Sequence, residues 1–251
     1  MNDQLALTVG RLRSVCHSSI NNTMIWAQVA DRAFASSTNK TELLAQGSFT
    51  VPSRGGPKQI TRSETQIAEI LSSTASRDLM TALLVFIVAK GEAFLADILH
   101  KILVADPRRL QVRVQGVDHV AKIDVAAIVG ANSIDDVVSD IAYKQVVSVF
   151  YASPFSQFRY LEKVAGFELD TEFVDRWIEL KATRDIIVHN NGTINETYLQ
   201  KSGSAARGTL GETISVPQEY FHQAAVTVKR VTGRYASQIQ SKLREKKPKA
   251  T

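Results

Sequence analysis

The sequence predicts an all-α fold, an antiparallel helical bundle with an N-terminal helical extension, and three observations predict it. Long segments repeat their apolar residues at helical intervals, helix-starting signals recur between those segments, and the strand-like alternation noted at Arg108 to Gln115 is short and isolated. The chain has 251 residues, of which 44% are apolar. That is ample for a packed core, in one large domain or two small ones.

The elements follow in order. Leu5, Val9, Leu12, Cys16, Ile20, Met24, Ala27 and Phe34 keep helical spacing, so residues 1–35 form a long helix, or a helical hairpin broken at Asn21-Asn22. Such an extension could cover the main domain, extend a dimer interface or hold a partner. Residues 36–62 turn to Ser, Thr, Asn, Gly and Pro around Arg54-Gly55-Gly56-Pro57-Lys58 and read as a linker. No apolar strand precedes those glycines, and their spacing fits neither the P-loop nor the dinucleotide pattern. The main domain spans residues 63–240.

Ser63 with Gln66 fits a capping box for a short helix through Leu71. After Ser72-Ser73-Thr74-Ala75-Ser76 a long, very apolar helix runs from Arg77 to Val104 and stops at Asp106-Pro107. Leu110, Val112 and Val114 alternate, but an isolated strand is marginal, so this stretch is expected to be an irregular crossover. Asp118 to Gly130 holds a short helix. Ser133, with Asp135 and Asp136 in the first turn, starts a helix reaching Phe150, and Ser153-Pro154 starts another through Val164. Tyr151, Phe155, Phe158 and Tyr160 cluster there, and packing between helices is favoured over stacking on RNA bases. Asp170 or Thr171 caps the next helix, Lys201 to Gly211 is a flexible loop, and Gln218 to Leu243 is the last helix. Residues 241–251 form a basic tail.

Composition removes several functions. The single Cys16 allows no internal disulfide and no cysteine metal cluster. Met1-Asn2-Asp3 opens no basic-then-apolar leader, and the longest apolar run, Ala82 to Ala89, is far shorter than the ~20 residues of a membrane helix. A cytoplasmic protein without membrane contact is expected. His17, His100, His119 and His222 are scattered, without metal-ligand spacing or a serine-centred motif, so no metal and no cofactor are expected. The net charge of +5 and the pI near 9.3 permit RNA as a partner without requiring it.

The chemistry concentrates at Lys181-Ala182-Thr183-Arg184-Asp185-Ile186-Ile187-Val188-His189-Asn190-Asn191-Gly192. Phe173, Trp177, Leu180 and Ile187 draw an apolar stripe down this helix, and Arg184 lies within it. A cation on a face packed against another helix needs a partner. The long apolar helix carries the matching anomaly: Glu92 is surrounded on its surface by Val85, Val88, Ala89, Leu95, Ala96 and Leu99. His189 falls where Asn190, Asn191 and Gly192 end the helix. At 100° per residue Arg184 and His189 stand about 140° apart, so unwinding of the helix end would be needed to bring them together. Asp185, one turn before His189, could orient its imidazole. The competing reading is a salt bridge and a helix cap with no chemistry.

Arginine, a polar residue, three apolar residues, histidine, asparagine and a glycine turn resemble the signature of HEPN domains, an all-helical superfamily that includes many ribonucleases. Gly192-Thr193-Ile194-Asn195-Glu196-Thr197-Tyr198-Leu199 resembles the segment that follows the motif in stand-alone prokaryotic members, several of them toxins or defence effectors. Glu92-Ala93-Phe94-Leu95-Ala96-Asp97 is similar to their acidic motif, whose glutamate approaches the arginine. The resemblance covers residues 63–242.

It implies a HEPN-like antiparallel bundle, a homodimer, and a metal-independent endoribonuclease that cleaves RNA by attack of its own 2′-hydroxyl. His189 would be the general acid or base, Arg184 would stabilise the transition-state charge, and Glu92 and Asp185 would orient the pair. Asn190 would bind RNA phosphate or only cap the helix, and Lys201 and Arg207, carried by the loop on the motif side, are candidate RNA phosphate contacts. An antitoxin or effector protein is a further partner the resemblance suggests. Two alternatives stand beside this reading: a non-catalytic dimeric module binding nucleotide or a protein, and a toxin paired with a nucleotidyltransferase antitoxin. In such toxins a tyrosine two residues after the histidine accepts adenylyl groups, and here that position is Asn191.

Overall fold

The computed structural model describes residues 2–35, 47–120, 122 and 125–245, and these are all-α apart from one β-hairpin. The order is α1 (Asn2–Ala35), β1 (Ser48–Ser53), β2 (Gly56–Thr61), α2 (Glu64–Ser73), α3 (Leu79–Ala105), α4 (Val125–Val129), α5 (Ile134–Tyr151), α6 (Pro154–Ala165), α7 (Thr171–His189), α8 (Glu196–Ser202) and α9 (Gln218–Glu245).

Helix starts fall where side chains can satisfy the first free N–H groups. Ser63 Oγ accepts from Gln66 N while Gln66 Oε1 accepts from Ser63 N, closing the capping box. Ser133 accepts from Asp136 N, Ser153 from Ser156 N and Asp170 from Glu172 N.

Two stretches differ from the sequence expectation, and two others settle alternatives it left open. α1 is unbroken through Asn21-Asn22, because the Asn21 carboxamide is turned outward to accept from Lys229 of α9 at 2.8 Å instead of competing for the backbone. The Ser72 to Ser76 run does not end a helix either: a π-helical turn, Thr74–Asp78, joins α2 to α3, with Thr74 Oγ1 returned to the Ile70 carbonyl. Leu110 to Val114 forms no strand, in keeping with the irregular crossover expected there, and Pro107–Gln111 is a 3-10 turn. The segment read as a linker contains the antiparallel hairpin, paired from Ser48↔Thr61 to Ser53↔Gly56, with Gly56 at φ 107° in its turn. Residues 36–46 of that segment, positions 121, 123 and 124 beside the short helix, and Lys246, Lys247 and Lys249 of the tail lie outside the described residues.

α3 is the axis. By length and hydropathy it could cross a membrane, yet α1, α5, α6, α7 and α9 all pack around it. Its Leu84, Ile87, Leu95, Ile98, Leu99 and Leu103 are fully buried. α1 lies along α3 and α9 and adds Val9, Cys16 and Ile20 to the same core, so the N-terminal helix is a layer of the bundle. Gly91 sets the spacing at the centre: a Cβ there would lie 2.5 Å from Trp177 of α7 and 2.8 Å from Val228 of α9. Only a residue without a side chain lets these helices approach so closely. One residue on, Glu92 is thereby delivered to the face of α7.

Candidate active site

α7 stays regular to its last residue, and the turn that follows is built from special backbone. Asn190 N–H and Gly192 N–H both donate to the Ile186 carbonyl at 2.9 Å, with Asn191 at φ 50° and Gly192 at φ 75°. The chain then pairs with residues further on: Ile194 N–H donates to Glu212 O and Ile214 N–H to Gly192 O, both at 2.8 Å. Ala182 and Ile186 of α7 pack with Ile194, Tyr198 and Ile214 in a second small core. The segment after the motif is therefore fastened to α7.

Glu92 meets Arg184, which gives each of two charges on apolar faces a partner and agrees with what the resemblance implied. Arg184 Nη2 donates to Glu92 Oε2, and Lys181 Nζ donates to Glu92 Oε1 at 2.8 Å. The three side chains are 14%, 21% and 8% exposed for Glu92, Arg184 and Lys181, so water screens them little. Lys181 also donates to the buried Gln157 carboxamide at 3.2 Å. The sequence reading missed Lys181, although its place one turn before Arg184 on the same helix face was a usable signal.

The structure separates Arg184 from His189. Regular α-helix through His189 leaves no unwinding to close the angle between them, so the convergence that unwinding would allow does not occur within one chain. Arg184 lines a cleft of about 520 Å³ together with Glu92, Tyr143, Tyr151 and Lys201. His189 lines an adjoining cleft of about 310 Å³ with Asn190, Asn195 and Tyr198. Asp185 and Lys201 belong to both, so the two openings meet across this pair.

Asp185 does not orient the imidazole. Its carboxylate is held between Arg184 Nη1 at 3.2 Å and Lys201 Nζ at 3.4 Å, stronger partners for an anion than a neutral ring. His189 is exposed, and among the described residues its ring forms no hydrogen bond or ion pair. It is free to address a ligand. Asn190 caps the turn by donating from Nδ2 to the Thr193 carbonyl at 2.6 Å. Lys201, 35% exposed, is the cation that both clefts present to solvent.

Arg207 has another task than contacting phosphate. Its Nε donates to Glu179 Oε1 at 3.1 Å, Nη1 donates to the Ser215 carbonyl at 3.0 Å, and the guanidinium lies 3.3 Å over the Tyr220 ring. Glu179 is the hub of this group and is 5% exposed. It accepts also from Thr183 Oγ1 at 2.6 Å, Tyr198 at 3.0 Å and Tyr220 at 2.7 Å. Burial and the neighbouring carboxylate raise the phenol pKa of Tyr198 and Tyr220, which keeps both as donors. The loop after Lys201, expected to be flexible, is tied down by this network. Sequence reasoning passed over Glu179 because its partners lie up to 41 residues away.

Among the described residues no group of three or more His, Cys, Asp and Glu could hold a metal ion. The polar assets of the site are thus a pinned arginine, a free imidazole and an accessible lysine around two joined clefts. No protein-family model, curated protein or solved structure matches the chain, and the site is read from its own geometry.

Proposed function

We propose that the chain is a metal-independent endoribonuclease of the HEPN type, working as a homodimer. The observation that carries the reading is the pairing of an engaged and a free group on one helix end: Arg184 is fixed by Glu92 across the helix packing, while His189 stands exposed and unbonded beside it. A group that stabilises charge works best when preorganised, and a group that moves a proton must reach its substrate.

In this reading the scissile phosphate sits near Lys201, where the two clefts meet. Imidazole is the side chain suited to changing charge near neutral pH, so His189 takes the proton from the substrate 2′-hydroxyl or gives one to the leaving 5′-oxygen. The 2′-oxygen bonds to phosphorus, the bond to the 5′-oxygen breaks, and the upstream fragment ends in a 2′,3′-cyclic phosphate. Because Arg184 and His189 face different clefts within one chain, a second α7 across a two-fold axis supplies the complementary group. Exposed Tyr143 and Tyr151 line the larger cleft, and exposed Val188 precedes His189 on α7, which gives such an interface an apolar margin.

One observation favours a second reading, a non-catalytic dimeric module. Arg184 is bonded to both Glu92 and Asp185, and its Nε is buried without a partner, which commits most of the guanidinium inside the protein and leaves little of it for phosphate.

Purified chain incubated with total RNA in EDTA separates the two. Cleavage leaving 2′,3′-cyclic phosphate ends, lost in His189→Ala and in Arg184→Ala, is expected. RNA bearing 2′-O-methyl groups should resist. Equal cutting of DNA, or an absolute need for magnesium, overturns the mechanism. Whether such an enzyme serves as toxin, defence effector or processing nuclease depends on its RNA target.

A further inference from the structure

The far end of the bundle, away from the motif, holds a cleft of about 500 Å³ that the reading above does not use. α3, α6 and α9 all end there and α1 begins there. Its walls are aliphatic, from Leu5, Ile102, Val164, Ile239 and Leu243.

The mouth is basic. Arg108, Arg109, Lys163 and Lys242 line it against a single carboxylate, Asp106. The end of α6 explains why cations gather: its last carbonyls carry partial negative charge without helical partners. Arg109 Nη1 donates to Val164 O and Lys242 Nζ to Gly166 O, which pins both side chains at the rim. Arg108 Nε is held by Asp106 at 2.8 Å, and Lys163 Nζ by Arg113 O at 3.3 Å. A guanidinium has five donors and an ammonium three, so each pinned cation keeps donors for a further anion.

We propose that this cleft binds an amphipathic anion, an aliphatic body ending in a carboxylate or a phosphate. The volume falls within the roughly 300–1,000 Å³ typical of small-molecule sites, and aliphatic walls with a convergent charged rim are what such a ligand requires. Charge complementarity argues against the chain's own flanking sequence as occupant. Arg244, Lys246, Lys247 and Lys249 follow the last lining residues and carry the same sign as the rim. The walls offer aliphatic carbon and no aromatic face, so a nucleobase has nothing to stack on.

The test is isothermal titration of the full chain with decanoate, decyl phosphate, decanol and adenosine monophosphate, each below micellar concentration. The same titrations are made on Lys163→Ala/Lys242→Ala and on Ala105→Trp, which fills the cleft. Decanoate or decyl phosphate should bind at one site, and whichever binds tighter names the head group. Decanol should bind at least about tenfold more weakly, the double lysine variant should weaken decanoate about tenfold, and Ala105→Trp should abolish binding. Thermal melts confirm that each variant folds, and the lysine variant, altered only at the rim, carries the test if Ala105→Trp does not. No saturable binding of either anion, or unchanged affinity in the lysine variant, overturns the site. Tighter binding of the nucleotide than of decanoate overturns the ligand class. The readout is binding alone, so it is independent of any RNA cleavage.

Discussion

Replacing Glu92 with alanine tests the charge pairing that organises the site. The carboxylate is 14% exposed and serves two cations, Lys181 at 2.8 Å and Arg184. Without it Lys181, 8% exposed, retains only the neutral Gln157 oxygen at 3.2 Å, while Arg184 retains Asp185 at 3.2 Å. Removing one partner of a buried pair costs about 3–5 kcal/mol because the other charge stays buried. Arg184 is 21% exposed and keeps a second carboxylate, so the lower end, about 3 kcal/mol, applies. At roughly 2–4 °C per kcal/mol for a chain of this size, the melting temperature should fall by roughly 6–12 °C. Glu92→Gln keeps an acceptor and should lose about half as much. Asp140→Ala is the control: its pair with Lys144 is on the surface, 44% and 52% exposed, and should cost well under about 1 kcal/mol. Urea and thermal unfolding of the three variants measure the differences. Glu92→Ala melting together with Asp140→Ala would refute the argument that two buried cations depend on this carboxylate.

Other expectations follow from burial elsewhere. Arg207→Ala should cost about 2–3 kcal/mol, because it removes the cation paired with the buried Glu179, whereas Lys201→Ala should leave stability unchanged. A stable Arg207→Ala with weakened RNA binding would return this residue to the RNA surface. Burial raises the Cys16 thiol to about 11, so at pH 8 roughly one thiol in a thousand is ionised. Iodoacetamide should spare Cys16 in the folded chain and modify it on unfolding. His17 is pushed below its ordinary pKa by burial first, then by Lys229 and Arg13. The unfolded state therefore binds the extra proton more readily: stability is full above the ordinary histidine value of about 6.5 and declines as pH falls below it. Stability curves should show that decline, and His17→Gln should flatten it.

Local physics made much of the architecture legible. Caps at Ser63, Ser133, Ser153 and Asp170 were readable because each bond spans two or three residues, and the apolar stripes because helical period is a property of the sequence alone. Even for the contact between Glu92 and Arg184, across 92 residues, the sequence showed two charges on apolar faces that each needed a partner, and the resemblance to the acidic motif suggested that they partner each other. What packing decided was which partners were nearest. Asp185 gained a second cation, Lys201, once α8 had folded beside α7, and with its neighbour Arg184 this holds its carboxylate away from His189. Arg207 sits in an open-looking loop in sequence, yet Glu179, Tyr198 and Tyr220 converge on it only when α7, α8 and α9 assemble. Side chains choose among partners by distance and desolvation, and both quantities exist only after distant segments have been brought together.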